Sequence, residues 1–145
     1  MKKIWDIYKK HEEIVNYLIV GVLTTVVSFF FYYLSTRTFL NPENPVQLQI
    51  ANLIKWITGV LFAYVTNKIF VFESKNNTKT EILKEIVSFV GFRLFSGVMD
   101  IVFMYITVDV FLFNDSLMKI TSNVVVVILN YLFSKLFIFK KRKTN

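Results

Sequence analysis

The chain has 145 residues, of which 54% are hydrophobic and 16 are Phe, and it carries a net charge of +7. A soluble helical domain of this size would need more polar surface than remains, so that class is excluded. With no cysteine and His11 as its single histidine, the chain holds no disulfide and no thiolate or histidine metal centre, and no metal site is expected.

The opening Lys2 and Lys3 are followed by Ile4-Trp5-Asp6-Ile7-Tyr8-Lys9-Lys10, which is too short and too polar for a signal-peptide core. It reads as an interfacial helix with Trp5 and Tyr8 at headgroup level. Four apolar stretches follow, at residues 14–35, 50–72, 86–108 and 117–139. Each exceeds the roughly 20 residues that a helix needs to cross a hydrocarbon layer about 30 Å thick. The predicted fold is all-α: a polytopic membrane protein with four transmembrane helices in one domain, residues 1–145.

The connectors carry their own signals. Asn41-Pro42-Glu43-Asn44-Pro45 cannot continue a helix, because each proline lacks an N–H and restricts its predecessor. Asn76-Asn77-Thr78 interrupts the middle connector, and Asn114-Asp115-Ser116 can cap the fourth span. Lysines and arginines gather before span one, between spans two and three (Lys75, Lys79, Lys84), and after span four (Lys140, Lys141, Arg142, Lys143). Basic connectors stay on the cytoplasmic side, which predicts that both termini and the middle connector are cytoplasmic. The net charge then reflects topology and attraction to anionic lipid headgroups, and no nucleic-acid partner is expected.

The ends of spans two and four repeat one another. Tyr64-Val65-Thr66-Asn67-Lys68-Ile69-Phe70-Val71-Phe72 matches Tyr131-Leu132-Phe133-Ser134-Lys135-Leu136-Phe137-Ile138-Phe139, and Val20-Gly21 matches Val90-Gly91 more weakly. The spans are therefore read as two hairpins in a parallel repeat, related about the membrane normal. Lys68 and Lys135 lie near helix C-termini, where the helix dipole favours a cation. Two roles are open to them: plain anchoring at the headgroups, with the stems along hydrocarbon, or a grip on a lipid-linked phosphate.

Polar residues run along each span. Arg93 and Asp100 are seven apart in span three, two turns on one face, with Ser96 between. Charged groups on a lipid-facing surface cost several kcal/mol, so both should point into a bundle or toward water. They serve either as an ion-paired packing element or as ligands, Arg93 holding a phosphate through its fork of donors while Asp100 accepts sugar hydroxyls or orients a basic partner. Span two offers Asn52, Lys55, Gly59, Ala63 and Thr66 as a stripe, with Gly59 and Ala63 a small surface suited to close helix packing and to self-association. Span four offers Lys119, Asn123, Asn130 and Ser134, and span one Gly21, Thr25, Ser28, Tyr32 and Ser35. Lys55 and Lys119 stand at the outer ends of their spans, against the basic-residue bias. A cation near each membrane face with a polar path between is what a translocated anionic headgroup needs. No phosphate-binding loop, zinc motif or nucleophile with its base is present. No catalytic site and no cofactor are expected.

These residues resemble the GtrA-like family of small four-span membrane proteins. The resemblance runs from Glu13 to Phe139 and is carried by Asn16-Tyr17-Leu18-Ile19-Val20-Gly21 with Thr24 and Thr25, Ala51-Asn52, Asn67-Lys68-Ile69-Phe70-Val71-Phe72, Phe89 to Arg93, and Ser134-Lys135-Leu136-Phe137-Ile138-Phe139. The opening departs from the family's usual Arg-Phe or Lys-Phe. The resemblance implies movement of a polyprenyl-phosphate-linked monosaccharide across the bacterial plasma membrane, for use by an extracytoplasmic glycosyltransferase. In low-GC Gram-positive bacteria, which the Lys- and Asn-rich composition suits, it implies sugar decoration of wall teichoic acid. By the same resemblance Asn67, Lys68 and Lys135 are candidates for the lipid-phosphate end of the substrate. Arg93, Asp100, Lys55, Lys119 and Asn130 are candidates from their cost and placement in the spans. The expected partners are the lipid-linked sugar, membrane lipid, further copies of the chain and a glycosyltransferase. The alternative function is a non-transporting membrane subunit that anchors or stabilises a polyprenyl-phosphate glycosyltransferase.

Overall fold

The computed structural model describes residues 9–75 and 78–139. The expected interfacial helix around Trp5 and Tyr8, the Asn76-Asn77 interruption and the basic tail from Lys140 lie outside the described residues. The order is α1 (Glu12–Thr38), α2 (Pro45–Thr66), α3 (Lys79–Met104) and α4 (Asp115–Phe133). The last three run on into short π-helical turns at Asn67–Val71, Tyr105–Val110 and Ser134–Ile138. There is no strand among the described residues. All four helices are long and apolar enough to span a membrane, and the protein is a multi-pass membrane protein.

Local chemistry sets where the helices begin. Pro45 occupies the first turn of α2, and the Asn44 side chain accepts from the N–H groups of Val46 and Gln47 at 3.0 and 3.3 Å. Thr78 and Glu81 form a reciprocal capping box at the start of α3, and Asn114 Oδ1 accepts from Leu117 N–H at 3.1 Å to start α4. Each cap satisfies backbone donors that a helix N-terminus leaves open. The capping box also starts α3 seven residues before the expected span, so with its π turn that helix runs 32 residues, Lys79–Val110. At 1.5 Å per residue this is roughly 48 Å, well beyond the hydrocarbon thickness, so α3 must protrude or tilt.

The chain divides between Glu73 and Ser74 into two compact units, each a helical hairpin. In the first, α1 packs on α2. Gly59 lets the helices approach closely: a Cβ there would collide with the Ser28 hydroxyl. Ala51, Val60, Ala63 and Tyr64 are buried in α2, and Tyr17, Val20 and Ser35 in α1. The Gly59/Ala63 face expected to suit close helix packing is used within the hairpin, since Ser28 of α1 occupies the space in front of Gly59 and Ala63 is buried. In the second hairpin α3 packs on α4, with Phe92 stacked on Phe133 at 4.6 Å between ring centroids and Ser96, Ser122 and Ser134 buried.

Both hairpins have an inverted distribution of polarity. Buried positions are rich in Ser, whereas large apolar residues such as Val22, Phe30, Leu61, Ile101 and Ile120 are exposed. Lipid is as apolar as leucine, so helices in a membrane associate through small residues and interhelical hydrogen bonds and not by hiding leucine.

The repeat is visible in local structure. Both copies of the motif form a π turn, and in each the closing phenylalanine donates its N–H five residues back, Phe72 to Asn67 and Phe139 to Ser134, both at 2.9 Å. That phenylalanine is buried against an aromatic ring on the first helix of its own hairpin. Tyr17 and Phe72 have centroids 6.3 Å apart at 56°, and Phe89 and Phe139 are 6.0 Å apart at 59°.

Candidate functional site

A polar cluster within the membrane spans lies between α3 and α4. Asp100 divides its two carboxylate oxygens between two residues of α4: Lys119 Nζ donates to Oδ2 at 2.8 Å and Ser122 Oγ donates to Oδ1 at 2.5 Å. The three meet because Lys119 and Ser122 are one turn apart on one face of α4, and the short connector at residues 111–114 folds that helix back along α3. The carboxylate is thus ion-paired and hydrogen-bonded, the condition under which a charge is tolerated in a span.

One turn along α3, Ser96 Oγ lies 2.8 Å from Asn130 Oδ1 and 2.9 Å from its own helix's Phe92 carbonyl. A hydroxyl has one proton, so Ser96 donates to one of these acceptors at a time. Ser96 is fully buried, and Asn130 is half-buried. Arg93 follows on the same face of α3, with its guanidinium carbon 4.4 Å from the centre of the Phe89 ring. That ring is itself wedged against Phe139. A cation held over an aromatic face is attracted by the ring's negative face, which helps to fix the orientation of its planar donors.

The structure therefore brings Asp100 and Lys119 into direct contact and sets Asn130 against Ser96 of the same seam. Arg93 and Asp100 do not pair with each other; their separation along the helix is about 10 Å. Lys135, in the π turn, is exposed, with its ammonium 3.1 Å from the Tyr131 hydroxyl, which accepts, and 5.4 Å from that ring's centre. Asn67 is almost fully buried: its Nδ2 donates to the Ala63 carbonyl at 2.7 Å, while Oδ1 has no hydrogen-bond partner among the described residues. Lys68, beside it, is half-buried. Lys55 places its ammonium 4.2 Å from the centre of the Phe29 ring on α1.

Two polar residues of the second hairpin escaped the sequence reading. Asn123 was expected on the inner side of α4, but it is exposed and Ser122 is the residue turned toward Asp100. The signal was its spacing of three from Lys119. Glu85 was also passed over as part of the basic connector. It is buried near the start of α3, where its Oε1 accepts from Ser74 Oγ at 2.7 Å. Its placement four and eight residues before Phe89 and Arg93 puts all three on one helical face.

The seam offers cations at Lys119 and Arg93, an acceptor at Asp100 and an amide at Asn130. Such a set suits an anionic headgroup rich in hydroxyls. Known proteins resemble the chain over most of its length. Residues 16–139 match the family described as GtrA/DPMS, transmembrane domain. The chain is 42% identical over 130 residues to the cell wall teichoic acid glycosylation protein GtcA of Listeria monocytogenes, covering 90% of this chain and 86% of that protein. The GtcA of Listeria innocua is similar to the same extent. The uncharacterized membrane protein YwcD of Bacillus subtilis is 39% identical over 127 residues, covering 88% of this chain and 96% of that protein. No solved structure gives a significant match.

Proposed function

This chain belongs to the GtrA/DPMS transmembrane-domain family, and on that premise we propose that it acts in the glycosylation of wall teichoic acid by translocating a polyprenyl-phosphate-linked sugar across the bacterial plasma membrane. The observation that carries this reading is the seam of Arg93, Ser96, Asp100, Lys119, Ser122 and Asn130 within one membrane hairpin. Its groups match a phosphorylated sugar: cations for the phosphate, and a carboxylate and an amide for the hydroxyls. The prenyl tail stays in lipid while the headgroup exchanges its hydration for these groups. The names of the Listeria relatives supply the wall polymer. In this reading Lys68, with Asn67 next to it in the chain, and Lys135 of the other hairpin each meet the phosphate at the cytoplasmic side, and Lys55 and Lys119 each receive it near the outer face. No nucleotide or other cofactor is part of this proposal.

Reconstitution tests it. Proteoliposomes containing the purified protein and a lipid-linked sugar should expose that sugar to an external glycosidase faster than protein-free vesicles do. Equal rates with and without protein would overturn the translocation reading.

A second reading is a non-transporting subunit for a polyprenyl-phosphate glycosyltransferase. It is favoured by Lys75, Lys79 and Lys84, all exposed and able to dock an acidic soluble surface. Stoichiometric recovery with such an enzyme from native membranes, with enzyme activity lost on deletion, would favour the subunit. Accumulation of the lipid-linked sugar on deletion would favour translocation.

A further inference from the structure

We infer that the Lys119 ammonium is an anion site kept masked by Asp100, and that the ligand which unmasks it is the phosphate ester of a lipid headgroup; the inference rests on the translocation reading. Three observations carry it. First, the two partners differ in openness: the Lys119 side chain is 47% exposed and that of Asp100 24%. The cation keeps an accessible side, and its bond to Asp100 uses one of three N–H donors. Second, Asp100 is held separately by Ser122 through its other oxygen. When Lys119 turns to a phosphate, the carboxylate keeps a charge-assisted hydrogen bond and is not stranded. Third, Lys119 and Asp100 belong to different helices, 19 residues apart in sequence, so the exchange of partners opens one of the cross-links between α3 and α4.

The chemistry of the competitor follows from the site's place in a span. A lysine without a counter-ion there would hold any anionic lipid tightly and release it slowly. An internal carboxylate makes occupancy competitive: the ligand displaces Asp100 to bind, and Asp100 displaces the ligand to release it. A lipid-borne phosphate reaches the site at high effective concentration because it is confined to the bilayer. Asp100 is then a positioning residue that sets residence time, and its removal should move affinity and turnover in opposite directions.

The test titrates the full chain in nanodiscs of neutral lipid separately with a polyprenyl-phosphate-linked sugar, phosphatidylglycerol and inorganic phosphate, and follows translocation in proteoliposomes made from the same protein preparation. Asp100→Asn, which can still bond to Ser122, should bind the lipid-linked sugar about tenfold more tightly than the unsubstituted protein and translocate it more slowly. Asp100→Glu should restore binding to near the original level. Lys119→Gln should bind weakly, and adding Asp100→Asn to it should give no gain. If Asp100→Asn does not fold, Asp100→Ser carries the same comparison. Unchanged or weaker binding by the folded variant overturns the mask, and translocation by the unsubstituted protein in the same preparation leaves the parent reading standing. Tighter binding without any translocation keeps the mask and sinks the parent reading. An equal gain with phosphatidylglycerol supports the masked site with ordinary phospholipid as its ligand. An equal gain with inorganic phosphate overturns the lipid-borne assignment.

Discussion

Ser28 stands directly in front of Gly59, so close that any side chain at position 59 would meet its hydroxyl. This contact sets the approach of α1 to α2. The obstacle is the end of a short side chain that can rotate, so Gly59→Ala should be absorbed with little loss. Gly59→Leu has no such escape and should destabilise the hairpin by about 1–3 kcal/mol, typical of an overpacked interface. Melting of the purified variants in detergent checks this ordering. If Leu proved as stable as Ala at position 59, the close approach would be wrong.

The bond between Ser96 and Asn130 joins α3 to α4 through a buried hydroxyl. Interhelical hydrogen bonds in membranes contribute only about 0.6 kcal/mol on average, and Ser96 has Phe92's carbonyl as an alternative acceptor. A double-mutant cycle of Ser96→Ala and Asn130→Ala should therefore give a coupling below about 1 kcal/mol. Under the proposed function, Asn130→Ala should nevertheless slow translocation severalfold. A large coupling with normal transport would make the pair a structural element only.

Arg93 over Phe89 is a second residue pair with a place in the proposed function. Arg93→Lys keeps the charge but loses the planar fork, and Phe89→Leu keeps apolar volume but loses the ring face. Both should lower sugar delivery to the wall polymer while leaving the protein in the membrane at normal level, and Arg93→Ala should lower it further. Phe89→Leu with full activity would show that the ring does not orient the guanidinium.

Lys68 and Lys135 occupy matching positions in the π turns that follow α2 and α4. The Lys68→Ala/Lys135→Ala double variant should lose binding of a polyprenyl-phosphate sugar by more than tenfold, above what loss of a solvated surface charge produces. Unchanged binding returns both to headgroup anchoring.

We propose from the positions of the basic connectors that both termini are cytoplasmic. The chain has no cysteine, so single cysteines at Asn44, Lys75 and Asn114 can be labelled without background. An impermeant thiol reagent applied to intact cells should modify the first and third. Modification of position 75 from outside would reverse the topology.

The four helices were legible in the sequence because the cost of leaving water is local and additive along each apolar stretch. The start of α4 at Asn114 was legible because a cap is a contact between near neighbours, whereas α2 and α3 begin at Pro45 and Lys79, before the spans read from hydropathy at residues 50 and 86. The duplicated motif was legible as text and reappears as two π turns closed by Phe72 and Phe139. What the sequence left open was rotation. Consecutive helical residues differ by about 100°, so hydropathy alone could not choose between Ser122 and Asn123 as the residue facing Asp100. A π turn takes in an extra residue and shifts every later side chain around the axis, with no composition to announce it. Only the packed hairpins decided that Asp100 takes Lys119 as its counter-ion, that Gly59 is spent against Ser28 and that Glu85 is buried. Those facts depend on which faces of two antiparallel helices meet, and that choice is made by side chains distant in sequence acting together.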